Sequence, residues 1–240
     1  MTTQRTALVT GANKGIGYAI AAGLGALGWR VGVGARDPER LADAVERLRD
    51  GGADAFAVEL DVTDDASVAA AAQLLEERGG IDVLINNAGI AGGASQVPTT
   101  VDIEAMRAAV ETNVFGVVRT TNALLPQLRR ATSPRIVNLS STVGSLAYHA
   151  SGAPEAGPVL MAYSPTKTYL NAVTLHYVRE LEGTGILINN VCPGYVSTDL
   201  NGRQGTRTPQ EGAAIAITYA TIGDDGPTGG YFNDAGPIPW

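Results

Sequence analysis

Six runs rich in valine, isoleucine and leucine recur along the chain with helical patterns between them: TALVT (6–10), WRVGVGA (29–35), ADAFAVEL (53–60), DVLIN (82–86), RIVNLS (135–140) and ILINNVC (186–192). Most of these runs show no polar alternation, which suits strands covered on both faces. The intervening patterns are amphipathic, as in Pro38 to Arg49, where Leu41, Val45 and Leu48 fall four and three residues apart. Regular alternation of this kind predicts an α/β fold, a doubly wound parallel sheet with right-handed crossovers and helices on both faces. At 240 residues one domain spanning 1–240 is expected. Ligands of such sheets sit beyond the carboxyl ends of the strands, so loops that follow strands carry function.

Charge and residue usage narrow the partner. A net charge of -7 and a pI near 4.8 argue against nucleic acid, whose phosphates require clustered Lys and Arg. A small molecule is the expected partner. The N-terminal MTTQRTALVTG has no signal-peptide pattern, and no apolar stretch reaches membrane-spanning length. The single Cys192 excludes an intrachain disulfide framework, and His149 and His176 lie too far apart to give metal-ligand spacing. A cytoplasmic, metal-free protein is expected.

The first strand runs directly into TGANKGIG (10–17), and a helical pattern follows to Leu27. Gly11, Gly15 and Gly17 allow a tight turn, close approach of a pyrophosphate, and packing of a helix N-terminus whose free amides and dipole favour an anion. Taken alone, the same glycines also fit an ordinary strand-to-helix turn. Their spacing is GxxxGxG, distinct from the GxGxxG of the commonest dinucleotide fingerprint.

Further landmarks follow in order: Asn86-Asn87-Ala88-Gly89, Asn113, Ser140-Ser141, Tyr163 with Lys167, and Pro193-Gly194. With the glycine turn, they make the chain resemble the short-chain dehydrogenase/reductase family, over essentially its whole length. The lysine within TGANKGIG and the long interval before Tyr163 are most similar to the carbonyl-reductase-like branch. The resemblance implies a Rossmann-type fold, a nicotinamide cofactor and reversible hydride transfer between that cofactor and a ketone or aldehyde. It further implies that Asn13, Lys14 and Ile16 join the three glycines in holding the cofactor. Asp61 and Val62 would line its adenine pocket, Asn87, Ala88 and Gly89 would support it after the fourth strand, and Pro193, Gly194, Val196 and Thr198 would contact the nicotinamide end.

Two features compete over which nicotinamide. Asp37 lies about 20 positions after the glycine turn, where an acid binds the ribose 2′-hydroxyl of NAD. At the tip of the second strand, however, stand Ala35 and Arg36, and Arg36 with Lys14 would clamp the 2′-phosphate of NADP. Asp37 also suits the cap of a helix starting at Pro38. The pair outweighs the single acid, so NADPH is expected.

The reacting centre turns on Tyr163 and Lys167. Four residues separate them, placing both on one face of a helix whose N-terminus must lie near Tyr163, because Pro165 is tolerated only in a first turn. The chain has fifteen arginines and only two lysines, Lys14 and Lys167. A compact ammonium can approach a phenol and ribose hydroxyls more closely than a planar guanidinium fork. By the resemblance, Tyr163 is the general acid in reduction and the base in oxidation. Bringing a phenol from pKa ~10 toward neutrality takes roughly 3 units, about 4 kcal/mol. One cation at ~4 Å supplies on the order of 4 kcal/mol at an effective dielectric near 20. Ser141, with Ser140 as its rival, would orient the substrate oxygen. Asn113 would hold a water in line with Lys167.

Ser141 and Tyr163 are 22 positions apart, so residues 141–162 form a substrate loop of unusual length, and residues 195–208 form a short second one. The first leaves the choice between monomer and homo-oligomer open. The second lacks a long helical lid and predicts an open pocket that tolerates bulky carbonyl compounds. Two other activities stay in view: a ketoreductase acting on carrier-bound thioesters, which Arg129-Arg130 would greet, and a non-catalytic NADPH-binding regulator, which normally lacks an intact YxxxK.

Overall fold

Every residue of the first strand, β1 Thr6–Thr10, is buried, as a strand with helices on both sides requires. The structure, a computed structural model, describes residues 4–240. β2 Arg30–Ala35, β3 Asp54–Glu59, β4 Val83–Asn86, β5 Arg135–Leu139 and β6 Leu187–Val191 occupy the expected apolar runs. Two short strands near the C-terminus, β7 Tyr231–Asn233 and β8 Gly236–Pro237, extend the sheet to the order β3-β2-β1-β4-β5-β6-β7-β8. All neighbours run parallel except β7 and β8. The expected parallel sheet therefore carries one antiparallel edge, made where Asn233 accepts the N–H of Ala235 and turns the chain back.

The helices are α1 Gly15–Ala26, α2 Pro38–Asp50, α3 Asp65–Glu77, α4 Ile103–Val110, α5 Gly116–Leu128, α6 Leu146–Ser151, α7 Ser164–Glu180 and α8 Pro209–Thr221. Alternate strand residues feed two cores. Ala7, Val9, Val31 and Val33 pack against α1, α2 and α8, whereas Leu8, Leu84 and Ile136 pack against α3, α5 and α7. Fully buried leucines such as Leu24 and Leu124 each contribute about 2 kcal/mol. Helix starts follow their sequence signals: Asp37 caps α2, Asp64 caps α3, and Thr208 with Glu211 forms a capping box on α8.

One local feature has no counterpart in the sequence patterns. α4 and α5 form one helical rod broken by a π-helical turn, Glu111–Phe115, with Asn113 buried inside it. Turns of this type are often found at functional sites.

Strand order reverses between β1 and β4, so the loops leaving these strands diverge and open a crevice at their carboxyl ends.

Candidate active site

The crevice is a cleft of about 620 Å³. Gly11, Asn13, Lys14, Gly15, Ile16 and Gly17 form one wall, and Arg36, Asp61 and Val62 another. Asn87, Ala88, Gly89, Tyr163, Lys167, Pro193 and Thr198 complete the expected lining. Leu60, Thr112, Asp199, Leu200 and Arg203 line it too. Asp199, Leu200 and Arg203 belong to the expected second loop; no motif marks Leu60 and Thr112, which arrive by strand register and helix placement.

The glycine turn is built against Asn87. The Asn87 carboxamide donates to the carbonyls of Thr10 (2.8 Å) and Gly11 (3.1 Å), and the Thr10 hydroxyl accepts the N–H groups of Asn87 and Ala88 at 2.9 Å each. Gly11 and Gly15 take positive φ angles of 63° and 58°. A Cβ on Gly17 would fall 2.5 Å from both the Asn87 amide nitrogen and the Gly11 carbonyl, so no side chain fits.

Lys14 is the N-cap residue of α1, and its side chain cannot accept from the first amides of the helix. The first turn also carries no acid. Its amide donors and positive dipole end are thus left for an anion, and the donor set fits a pyrophosphate.

At the exit of β2, Asp37 turns away from the cleft. Its carboxylate accepts the N–H of Arg40 (3.1 Å) and pairs with the Arg40 guanidinium at 3.4 Å. Arg36 is exposed and lines the cleft. Asp61 is held below the usual carboxylate range, first by the Thr63 hydroxyl at 2.7 Å, and Arg36 adds to that effect. Lys14 also lines the cleft, but its ammonium pairs with Asp199 at 2.7 Å across the mouth, and Arg203 pairs with the same carboxylate at 3.2 Å.

Tyr163 immediately precedes α7, with Pro165 in the first turn as the sequence requires. Lys167 is buried; its Nζ lies 5.6 Å from the centre of the Tyr163 ring and donates to the Leu139 carbonyl at 2.7 Å. Burial lowers the Lys167 pKa to about 8. Burial also pushes the Tyr163 phenol above its ordinary value, with the nearby Cys192 adding to the rise. Without a cofactor beside it, drying the phenolate outweighs the pull of Lys167, whose bond is directed at a backbone carbonyl. The expected fall toward neutrality also calls on the positive ring of an oxidised nicotinamide.

The two serines are in different states. Ser140 is buried and its hydroxyl donates to Asn171 Oδ1 at 2.7 Å. Ser141 is extended and its carbonyl accepts the Tyr231 hydroxyl, while its own hydroxyl makes no hydrogen bond among the described residues. Of the pair, Ser140 touches the cleft and Ser141 does not line it.

Asn113, Gly194 and Val196 also stand outside the lining. The Asn113 amide accepts from the Ile90 N–H (2.8 Å) and donates to the Ile90 carbonyl (2.9 Å) and the Thr166 hydroxyl (3.0 Å). Its side chain is therefore committed to protein partners. Gly194 adopts φ 78° beside Arg207, and Val196 is buried, bridging to Arg207. The 195–207 segment closes on itself through Ser197, Tyr195 and Arg207 backbone bonds and one turn at Asp199–Asn201. The longer loop contains α6 and is laced to the C-terminal residues: Ser145 donates to the Pro239 carbonyl at 2.6 Å, and the Trp240 carbonyl accepts the Ala147 N–H at 3.0 Å.

Comparison with known proteins places these landmarks in context. The short chain dehydrogenase family model matches residues 5–208. The chain is 41% identical over 205 residues to the ketoacyl reductase named for the monensin polyketide synthase of Streptomyces virginiae, covering 84% of this chain and 74% of that one. It is 34% identical to the NADPH carbonyl reductase 1 of Rattus norvegicus, over 98% of each chain. Among solved structures, the NADPH-bound carbonyl reductase from chicken fatty liver superposes with a TM-score of 0.86 at 29% identity over 99% of each chain.

Proposed function

Because the chain belongs to the short-chain dehydrogenase/reductase family, and so to the oxidoreductases, and is carbonyl-reductase-like, we propose that it reduces a ketone or aldehyde with NADPH. The observation that carries this reading is the convergence of Tyr163 and Lys167 on the same cleft as the uncapped glycine turn. The turn amides would hold the diphosphate, Arg36 with Lys14 the 2′-phosphate, and Asp61 and Val62 the adenine pocket. Asp37, engaged with α2, is not free to select NAD. A reduced nicotinamide held by these residues would supply the hydride.

Tyr163 donates its proton to the carbonyl oxygen as a C–H bond forms at the carbon, so the product is a neutral alcohol and the phenolate is left on Tyr163. A phenol kept protonated by burial is suited to this donor role. Lys167 stabilises that phenolate and holds the ribose hydroxyls. Ser141, one residue beyond the cleft-lining Ser140 and with its hydroxyl uncommitted, is assigned the charge that develops on oxygen. A substrate placed just past the cofactor cleft is what brings it within reach. Asn113 assists through its π-turn backbone, its carboxamide being occupied. Gly194 and Val196 act through the backbone path they impose on the Pro193 to Thr198 segment. The 195–207 loop is short and carries no long helical lid, which favours bulky substrates once the Lys14–Asp199 pair at the mouth parts.

Reduction of a carrier-bound keto thioester is the second reading, favoured by the Streptomyces relative. Against it, Arg129 and Arg130 end α5 just before the amino end of β5, on the edge of the sheet remote from the cleft, and Arg130 pairs with Glu76. NADPH consumption over aromatic ketones, β-keto esters, quinones, aldehydes and carrier-bound thioesters tests the assignment. Turnover of free bulky carbonyl compounds supports it, and turnover confined to carrier thioesters supports the second reading. Tyr163→Phe with near-normal turnover rejects both.

A further inference from the structure

The phenol of Tyr163 makes no hydrogen bond among the described residues, so its place in the cleft is set by the backbone that carries it. That backbone is tied to the loop after β4 on both sides. Before Tyr163, the Gln96 Oε1 accepts the N–H of Ala162 at 3.0 Å, and the Gln96 carbonyl accepts the N–H of Met161 at 3.0 Å. The Gln96 Nε2 donates to the carbonyls of Ala91 (3.0 Å) and Gly93 (3.1 Å), with that of Gly92 at 3.4 Å. After Tyr163, Asn113 joins Ile90 of the same loop to Thr166. The fit is close: a Cβ on Gly92, which has φ 80°, would lie 2.8 Å from the Ala162 Cβ.

We propose that Gln96 is a positioning residue for proton transfer: by locking Ala162 to the loop after β4, it fixes where the Tyr163 hydroxyl stands relative to Lys167 and the substrate oxygen. The inference rests on Tyr163 being the general acid. A displacement near 1 Å at a reacting group costs on the order of 100-fold in rate, and one carboxamide with both ends engaged is enough to prevent it. A role confined to loop stability would lower cofactor affinity and melting temperature along with the rate; positioning separates them.

The test uses Gln96→Leu, which keeps volume and removes every side-chain bond, and Gly92→Ala, which pushes on Ala162 directly. Each is assayed with whichever panel compound wild type reduces fastest. Both variants are expected to lose roughly 10- to 100-fold in kcat with KM for NADPH nearly unchanged, while the melting temperature falls by only several degrees, the cost of the broken hydrogen bonds or of the strained φ. The alkaline fall of kcat, which marks ionisation of the proton donor, is expected to move to higher pH as the phenol drifts from Lys167. Wild-type kcat and pH profile in Gln96→Leu, with Tyr163→Phe inactive, overturn the proposal alone. A parallel drop in kcat, NADPH affinity and melting temperature also counts against it. Normal turnover in Tyr163→Phe removes the reading on which it rests.

Discussion

A methyl group on Gly17 would stand 2.5 Å from the Asn87 amide nitrogen, the same nitrogen that binds the Thr10 and Gly11 carbonyls. The turn and the loop after β4 are thus one unit, and Gly17→Ala must displace either the turn or its brace. NADPH affinity measured by fluorescence titration is expected to fall by about 100-fold or more. Asn87→Ala, which removes two hydrogen bonds worth about 1 kcal/mol each, is expected to lower thermal stability and affinity more modestly.

On the proposed NADPH assignment, Arg36 carries the choice between the two nicotinamides, since Asp37 is occupied as a helix cap. Arg36→Asp is expected to raise KM for NADPH by roughly 100-fold, two to three kcal/mol of lost charge-assisted bonding, and to leave KM for NADH within a few-fold. Steady-state kinetics with both cofactors check this, and equal effects on the two would refute it.

Ser141→Ala and Ser140→Ala are expected to part company. The first removes an uncommitted hydroxyl and should lower kcat by about 100-fold without altering the melting temperature. The second breaks the bond to Asn171 and should cost about 1 kcal/mol of stability, measured by urea unfolding, with a smaller kinetic effect.

Lys167 gives the fold a pH signature. Its pKa falls from an ordinary value of 10.5 to about 8, so between pH 8 and 10 the unfolded chain holds a proton that the folded chain has released. Stability from this group therefore rises with pH across that window, and the burial penalty is fully present below it. Urea unfolding at pH 7.5 and 9.5 is expected to show wild type gaining on the order of 2 kcal/mol relative to Lys167→Met. A wild-type loss relative to the variant would contradict the assignment.

Strands and helices were legible because burial on both faces writes itself locally, as in TALVT and RIVNLS, and because Asp37, Pro38, Thr208 and Glu211 cap by contacts within a few residues. Motif residues such as Gly11, Asn87 and Pro193 reach one cleft for a related reason: topology sends the exits of the parallel strands to one end of the sheet. What escaped depends on partners distant in sequence. Asp199 reaches Lys14 across 185 positions, Tyr231 reaches the Ser141 carbonyl across 90, and Gln96 meets Ala162 across 66. The π turn escaped because its cause, the fit of Asn113 between Ile90 and Thr166, is tertiary. The rise of the Tyr163 pKa escaped because spacing shows who is adjacent and says nothing of how dry they are.

The bond from Lys167 to the Leu139 carbonyl bears on the enzyme's tempo. Stripping water from an ammonium is slow and unfavourable work, and here it is completed when the chain folds and does not recur with each substrate. On the proposed mechanism, the reaction cycle would begin from a cation already aimed by β5, with little solvent left to rearrange between one turnover and the next.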